Sequence, residues 1–495
     1  MKNRLIGALF LLSVSIGVTA QVKLELEYDV EVSGTVSSGR HAPIWLTANR
    51  YGMGSISGKS GYLSAGCFLQ MGLPKHWQIN AGLDLAGGLN TAYNVWLHQA
   101  YLDVGWKHLR LSVGTKERGV YPVERDMEVS SGVMVEGVNT QPIPQVRLSL
   151  DDYVNVPFTR EWFGVKGHIA YGRFMDDRWQ RKFSGVSQRL TQDVLYHTKS
   201  LAVRLGRRDI FPLEVEIGII DIAQFAGDSY VKQADGSLKL VQKYPKGFKS
   251  LWNAFLPFHQ EGNANVEGNH SGSWMAAATW YAHRWKIRAY MEHYFEDHSQ
   301  IGFEYGMWQD GHLGVEVELP DNRWVSKIVW EGLCTTDQTG AILYDSFNGS
   351  FTDIQISGGD NYFTNGQYLG LQHAGMGMTN PLIPGPGYNQ DGTNCYKSNR
   401  VRAHHIALAG QPDAEWRWRL LSSFVRHWGT YYQPLDKVRK QWSGLVEVTY
   451  RPDRWKGWSA QLGIGLDCGN YLGQSIGGML TVTKRGIVTE RRWSR

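Results

Sequence analysis

"WKIRAYMEHYFED", residues 285–297, alternates between apolar and polar side chains. One face is apolar apart from a single histidine and carries Trp285, Ile287, Ala289, Met291, His293 and Phe295. The other face is mostly charged and carries Lys286, Arg288, Tyr290, Glu292, Tyr294 and Glu296. Alternation with a period of two over this length predicts a β-strand with one dry face and one wet face.

The same alternation recurs along the chain, for example in "WSAQLGIGLDCG" (458–469), "WSGLVEVTYRP" (442–452) and "KLELEYDVEVSG" (23–34). Strands of soluble sheets usually have about 5–6 residues, whereas a strand that crosses a membrane needs about 9–11, with aromatic residues at both interfaces. Many segments here reach that length and open on tryptophan, such as Trp274 and Trp416. The pattern predicts an all-β fold, a transmembrane antiparallel β-barrel of the outer membrane.

The connections between predicted strands support this interpretation. From residue 199 onward, tight turns alternate with long loops at about 223–273 and 335–400 and with shorter ones at 297–310 and 427–441. Bacterial barrels have short periplasmic turns, longer external loops and an even number of strands. About eighteen strands are expected, with sixteen as the alternative, and the last one should end near Lys484.

The amino terminus indicates export. Lys2 and Arg4 precede an apolar run that ends in small residues, which is typical of a secretory signal peptide over residues 1–20. The barrel domain then spans 21–495. The formal net charge of +5 falls to +3 without Lys2 and Arg4, and no basic stripe of the kind that binds nucleic acid stands out. The four cysteines, Cys67, Cys334, Cys395 and Cys468, fit either disulfides or isolated thiols.

Catalytic motifs are sparse. "GQSIG", residues 473–477, matches the G-x-S-x-G pattern of serine hydrolases, but that nucleophile requires a strand–turn–helix elbow and Ser475 precedes a predicted strand. An enzyme built around Ser475 is therefore the least favoured function. No motif requires a cofactor or a metal.

One predicted external loop is basic. Five lysines and a single acid lie between Lys232 and Lys249, followed by an amphipathic stripe at Phe248, Leu251, Trp252, Phe255 and Leu256 that predicts a short helix. We interpret Lys243, Lys246 and Trp252 as candidate contacts for an acidic polymer. The alternative is a solvated run of charge beside a packed helix.

The longest loop combines aromatic side chains with amides. "GGDNYFTNGQYLG" (358–370) offers Asp360, Tyr362, Asn365 and Tyr368, and this composition suits the apolar faces and hydroxyl edges of sugars. "NPLIPGPG" (380–387) is expected to stiffen the loop over the barrel mouth, with Asn380 and Arg400 as further candidate contacts. Turn chemistry alone also enriches such residues in loops.

Several stretches in the same order resemble the capsule assembly Wzi family of Gram-negative outer membranes. They are "HAPIWLTANRYG" (41–52), "QPIPQVRLSL" (141–150), "GHIAYGRFMDDR" (167–178), "LYHTKSL" (195–201), the region from Gly358 to Asn389, and "NRVRAHHIALAG" (399–410).

The resemblance implies an eighteen-stranded outer-membrane barrel that binds capsular polysaccharide or exopolysaccharide and helps to attach it, and that is neither an enzyme nor an open porin. Its expected partners are that polymer, outer-membrane lipid and the polysaccharide export machinery. Some members carry an amino-terminal periplasmic helical bundle, and none is predicted here. The alternative function is a diffusion channel, which charged lumen residues such as Lys286, Arg288, Glu292, Glu296, Arg417 and Arg419 would also suit.

Overall fold

The computed structural model describes residues 22–256, 268–296, 301, 310–338 and 360–493. The predicted signal peptide lies outside these residues, as do parts of three external loops.

Eighteen antiparallel strands close into a barrel, each paired with its neighbours in sequence and the last paired with the first. They are Val22–His41 (β1), Ser57–Leu73 (β2), Trp77–Leu89 (β3), Val95–Trp106 (β4), Leu109–Thr115 (β5), Gln145–Asn155 (β6), Phe163–Arg173 (β7), Leu195–Leu205 (β8), Leu213–Phe225 (β9), Asn269–Ala282 (β10), Trp285–Glu296 (β11), Gly311–Glu318 (β12), Lys327–Cys334 (β13), Val401–Gly410 (β14), Trp416–Gly429 (β15), Pro434–Tyr450 (β16), Trp458–Gly469 (β17) and Ser475–Trp493 (β18). The predicted fold is confirmed, with eighteen strands and not sixteen.

The two faces of the wall differ as the alternation predicts. Outward positions such as Leu83, Ile287 and Leu480 are apolar and exposed, whereas lumen positions such as Glu292 are polar and buried. Exposed tryptophans cluster at one end of the strands, at Trp77, Trp106, Trp285, Trp416 and Trp458. These residues form the aromatic girdle expected at a membrane interface.

The connections are sorted by length, as predicted. The tryptophan-rich end has short turns, such as 107–108 and 283–284, and the opposite end carries the long loops. We call these the inner and outer ends. Among the described residues, no helix is long and apolar enough to cross a membrane.

Two predicted boundaries are wrong. The loop expected at 427–441 is only a tight turn, because β15 runs to Gly429 and β16 begins at Pro434. The last strand does not end near Lys484. β18 continues to Trp493 because β1 offers it a paired edge down to Val22, and the charged residues at this end suit strands that continue beyond the membrane.

Short elements occupy the outer end. A single turn at Ile44–Thr47 (α1) lies in the lumen, and Asp177–Phe183 (α2) and Phe248–Phe255 (α3) lie in external loops. The helix predicted from the amphipathic stripe is thus confirmed. A small sheet joins Arg189–Gln192, Asp228–Lys232 and Leu238–Lys243.

The lumen is filled by three segments of the chain, 42–56, 116–144 and 360–400. Their apolar side chains form one buried cluster with the lumen wall, including Trp45, Met134, Leu371 and Ile383. The stretch "GMTNPLIPGPGYNQDG" (377–392) contains the segment that was expected to stiffen an external loop over the barrel mouth, and it is instead buried over residues 377–386. Irregular backbone is tolerated there because protein surrounds it and satisfies its polar groups.

Candidate functional site at the outer mouth

A buried ion cluster holds the 116–144 segment in the lumen. Arg125 Nη2 lies 2.5 Å from Glu292 Oε1 on β11, and Arg125 Nη1 lies 3.9 Å from Glu331 Oε1 on β13. Glu331 also accepts hydrogen bonds from the Ser130 hydroxyl at 2.6 Å and from the Ser131 amide at 2.7 Å. The carboxylates are thus paired and hydrogen-bonded, as buried charges must be.

The same segment is bonded to other parts of the wall. Lys327 on β13 donates to Asp126 at 2.5 Å, Lys166 on β7 donates to Glu124 at 2.9 Å, and Thr198 on β8 donates to Glu136 at 2.9 Å. Three of the charges that suited a water-filled pore also contact this segment: Arg288 donates to the Glu124 carbonyl at 2.9 Å, Arg417 pairs with Glu128, and Arg419 donates to the Glu128 carbonyl at 2.7 Å. Lys286 instead pairs with Glu318 on the neighbouring strand.

Three predicted sugar contacts are buried. Tyr362 is 1% exposed and packs on Tyr294, with ring centroids 4.6 Å apart. Tyr368 packs on Tyr244 at 5.1 Å, and Asn380 donates from Nδ2 to the Ser131 hydroxyl at 3.0 Å. The expectation that these side chains are presented to a polymer is wrong, because they belong to the packing of the filled lumen.

The remaining predicted contacts in this loop also have structural partners. Asp360 is buried, and its backbone amide donates to the Gln338 carbonyl at 3.3 Å. Asn365 Oδ1 accepts from the Gln367 and Tyr368 amides at 2.7 and 3.2 Å, which is turn chemistry. Arg400 lies over the Tyr431 ring at 3.9 Å.

The basic loop contacts the aromatic loop through the Tyr244–Tyr368 pair, but its own candidate side chains are exposed. Lys243 and Lys246 are exposed, and Lys246 Nζ lies 3.6 Å from Asp228 Oδ2. Trp252 is exposed on α3. The structure therefore divides the predicted site into a buried group and an exposed group.

A different concavity opens at the outer end, and we call it the outer cleft. Its volume is about 630 Å³. The lining combines aromatic, amide and charged side chains: Arg40, His41, Pro384, Tyr388, Asn389, Gln390, Asp391, Lys397, Asn470, Tyr471, Leu472, Gly473 and Gln474.

Three parts of the chain build the outer cleft: the end of β1, the tail of residues 377–392 (which we call the proline-rich insert), and the turn between β17 and β18. Gly385 allows this because a Cβ atom there would lie 2.5 Å from the Gly377 amide nitrogen. The backbone at Gly385 can therefore lie against Gly377, in the short hairpin that pairs Gln372–His373 with Met376–Gly377, and residues 388–391 follow at the outer end. Sequence reasoning missed these residues, although "GYNQDG" (387–392) and "NYLGQ" (470–474) share the aromatic and amide composition sought elsewhere.

The cleft has both aromatic surface and fixed charge. Tyr388 lies edge-on to His41 at 5.3 Å, and Tyr471 stacks on His427 at 3.8 Å. Asp391 pairs with Lys397 at 2.5 Å. Burial raises the pKa of the Asp391 carboxyl, but hydrogen bonds from Lys397 and Thr393 outweigh it and leave the pKa below its usual range. An ionised acid beside a cation, with amides and rings nearby, can bind the hydroxyl edges and apolar faces of a sugar.

Ser475 occupies no nucleophile elbow. It opens β18 after a tight turn, and its hydroxyl donates to the His41 carbonyl at 2.8 Å. Among the described residues, no cluster of histidine, cysteine and acidic side chains could hold a metal. All four cysteines are free thiols.

The fold and loop arrangement define an outer-membrane β-barrel. The chain is similar to Wzi of Escherichia coli, described as an outer-membrane protein involved in group 1 capsule assembly and a carbohydrate-binding β-barrel, with a TM-score of 0.54 and 12% identity over 92% of this chain and 83% of that one. It is more distantly similar to OprD of Pseudomonas aeruginosa, with a TM-score of 0.45 and 7% identity over 94% and 96% of the two chains. OccAB2 of Acinetobacter baumannii has a TM-score of 0.47 and 7% identity over 94% and 98%. No protein-family model matches the chain, and neither does any curated protein sequence.

Proposed function

We propose that this barrel is an attachment protein that binds a surface polysaccharide at the outer cleft. The observation that carries the proposal is the position and chemistry of this cleft. It combines Tyr388 and Tyr471 with exposed Gln390, Gln474 and the Asp391–Lys397 pair at the outer end of a filled lumen. The likeness of the fold to a barrel described as carbohydrate-binding supports the same proposal.

The filled lumen argues against the alternative, a diffusion channel. The 116–144 segment is held by the ion cluster around Arg125, and the inward fold of 360–400 adds apolar packing such as that of Leu371 and Ile383. Purified protein in a planar bilayer should show no steady conductance. A stable open channel would contradict the attachment function.

The direct test is binding of polysaccharide purified from the native cells. The variant Gln390→Ala/Gln474→Ala removes two exposed amides from the outer cleft without touching the lumen packing. Loss of two hydrogen bonds, each contributing about 0.5–1.5 kcal/mol, should weaken saturable binding roughly tenfold. The matched control, Gln242→Ala/Gln433→Ala, removes two exposed amides elsewhere on the outer end and should bind normally. Equal affinities for both variants would reject the cleft as the site.

A cellular experiment tests the role itself. Deleting the gene should release polysaccharide into the medium while its synthesis continues, because an attachment protein acts after the polymer is made. A surface layer that stays equally dense and equally firmly held would exclude the role.

A further inference from the structure

The outward face of the wall changes character near the outer ends of β7 to β10. Leu201 on β8 and Ile217 on β9 are 56% and 54% exposed, as lipid-facing side chains are. Further along the same faces, toward the outer end, stand Lys199, Asp221 and His270. Lys199 pairs with Asp221, and His270 Nδ1 lies 3.2 Å from Asp221 Oδ2. Charge on the lipid-facing side is costly at the membrane centre and much less so near its surface, so this group marks the outer edge of the hydrocarbon.

Helix α3 covers this part of the wall from outside. Leu251 packs against the cluster that contains Ala223 and Phe225, and its carbonyl accepts from the Tyr171 hydroxyl at 3.0 Å. The Phe255 ring lies 5.8 Å from the ring of His197, an outward residue of β8. With a rise of about 3.3 Å per residue along each strand, α3 lies just beyond the ring of exposed apolar residues.

The chain reaches this position by crossing the rim of the barrel. Tyr244 packs on Tyr368 over the lumen, and α3 begins at Phe248 on the other side of the wall. The face of α3 that points away from the barrel carries Phe248 and Trp252, which are 84% and 55% exposed. Lys243 and Lys246 are exposed in the crossing segment. Aromatic residues on one face with lysines beside them are typical of helices that lie in a membrane interface.

We propose that α3 is an interfacial anchor that binds a phosphate-bearing glycolipid of the outer leaflet. Phe248 and Trp252 enter the boundary between headgroups and acyl chains, and Lys243 and Lys246 neutralise the phosphates. The helix is continuous with the lipid-facing belt and lies outside the wall, not over the mouth where the outer cleft opens. This goes beyond the proposed function, because it assigns the basic loop to lipid and not to the polymer.

The test uses the full-length protein in detergent and two purified lipids, bisphosphorylated lipid A and its dephosphorylated form. Native mass spectrometry measures the lipid retained by each barrel. Wild-type protein should prefer the phosphorylated form. Lys243→Gln/Lys246→Gln should reduce that preference by about five- to twenty-fold, since a lysine at an anionic membrane surface contributes roughly a five-fold gain in binding.

Two further variants make the result specific. Lys75→Gln/Lys456→Gln removes the same charge from exposed turns at the inner end and should leave lipid A binding unchanged. Phe248→Ser/Trp252→Ser should weaken both lipid forms, because it removes the inserted surface. Heat-dependent gel mobility confirms that each variant keeps a folded barrel.

The proposal is overturned if wild-type protein binds both lipids equally, or if the Lys243→Gln/Lys246→Gln variant keeps the wild-type preference. It is also overturned if that variant loses polysaccharide binding while its lipid binding is intact, because the surface would then be a sugar site. The lipid-binding experiment contains no polysaccharide, so a negative result there does not affect the proposal that the outer cleft binds polysaccharide. A negative result in the polysaccharide-binding experiment likewise does not affect the lipid proposal.

Discussion

Removing the cation of the buried ion cluster should release the 116–144 segment from the wall. Arg125 is the residue to change, because its side chain is only 4% exposed and it faces both Glu292 and Glu331. Arg125→Met keeps much of the side-chain volume but leaves two buried carboxylates without their cation. Loss of one partner from a buried ion pair is more damaging than loss of both.

The geometry sets the size of the effect. Breaking a buried pair from one side costs about 3–5 kcal/mol. The lower end applies here, because Glu331 still accepts from the Tyr290 hydroxyl at 2.6 Å and Glu292 still accepts from the Met134 amide at 2.7 Å. At 1.36 kcal/mol for each factor of ten, about 3 kcal/mol corresponds to roughly a 100-fold larger population with the segment detached.

Hydrogen–deuterium exchange with mass spectrometry measures that population directly. Amides within 129–138 should exchange roughly 100-fold faster in Arg125→Met than in the wild type. Arg417→Met is the matched control, since it breaks a half-exposed pair with Glu128 in the same segment. Surface pairs contribute about 0–1 kcal/mol, so this variant should change exchange less than about five-fold.

A charge-balanced variant completes the test. Arg125→Met/Glu292→Gln removes one of the stranded carboxylates and should recover part of the protection. Unchanged exchange in Arg125→Met, or an equal effect from Arg417→Met, would refute the view that the buried cluster holds the segment in the lumen.

Three other outcomes follow from single residues. Burial raises the pKa of Asp310 to about 6, so the folded state favours the protonated acid. This contribution to the free energy of unfolding, about 2–3 kcal/mol, is lost as pH rises through about 6. Amide hydrogen exchange near 334–338 should therefore be slower at pH 5 than at pH 7.5 after correction for intrinsic rates, and Asp310→Asn should abolish the difference. Gly457→Ala should lower the temperature of the heat-modifiable gel shift by much more than Gly236→Ala, because both have positive φ but only Gly457 would place a Cβ atom 1.9 Å from the Arg485 carbonyl oxygen. Ser475→Ala should leave polysaccharide retention unchanged, and a loss of retention would point to chemistry at that hydroxyl.

The strands were predictable because alternate residues of a membrane barrel strand face lipid and the lumen, and these two environments require different side chains. The alternating stretch 285–297 contains the strand Trp285–Glu296, and the long loop expected at 335–400 lies between strands that end at Cys334 and begin at Val401. The errors fall where strands leave the membrane, as at Lys484, because lipid no longer demands apolar residues on one face. There, pairing to a neighbouring strand decides where the strand ends. The residues of a strand do not by themselves indicate how far its neighbour extends.

The outer cleft could not be assembled from the sequence for a different reason. Arg40, Tyr388 and Tyr471 lie in three distant parts of the chain and meet only because β1 closes on β18 while the insert folds over both. Composition drew attention to Tyr362 and Tyr368, which belong to the same residue class. Composition does not show whether a side chain is exposed or buried, and these two rings are buried in the lumen packing.

The proline-rich insert shows why inward and outward loops look alike in sequence. Its buried backbone and side chains are satisfied by protein: Asn139 Nδ2 donates to the Gly377 carbonyl at 3.0 Å, and the Leu382 amide donates to Asn380 Oδ1 at 3.0 Å. Water would satisfy the same groups outside the barrel, so both locations permit the same irregular chain. The stiffness expected of the prolines therefore serves the filling of the lumen. Of the insert, the part that lines the outer cleft is Pro384 and the tail from Tyr388 to Asp391.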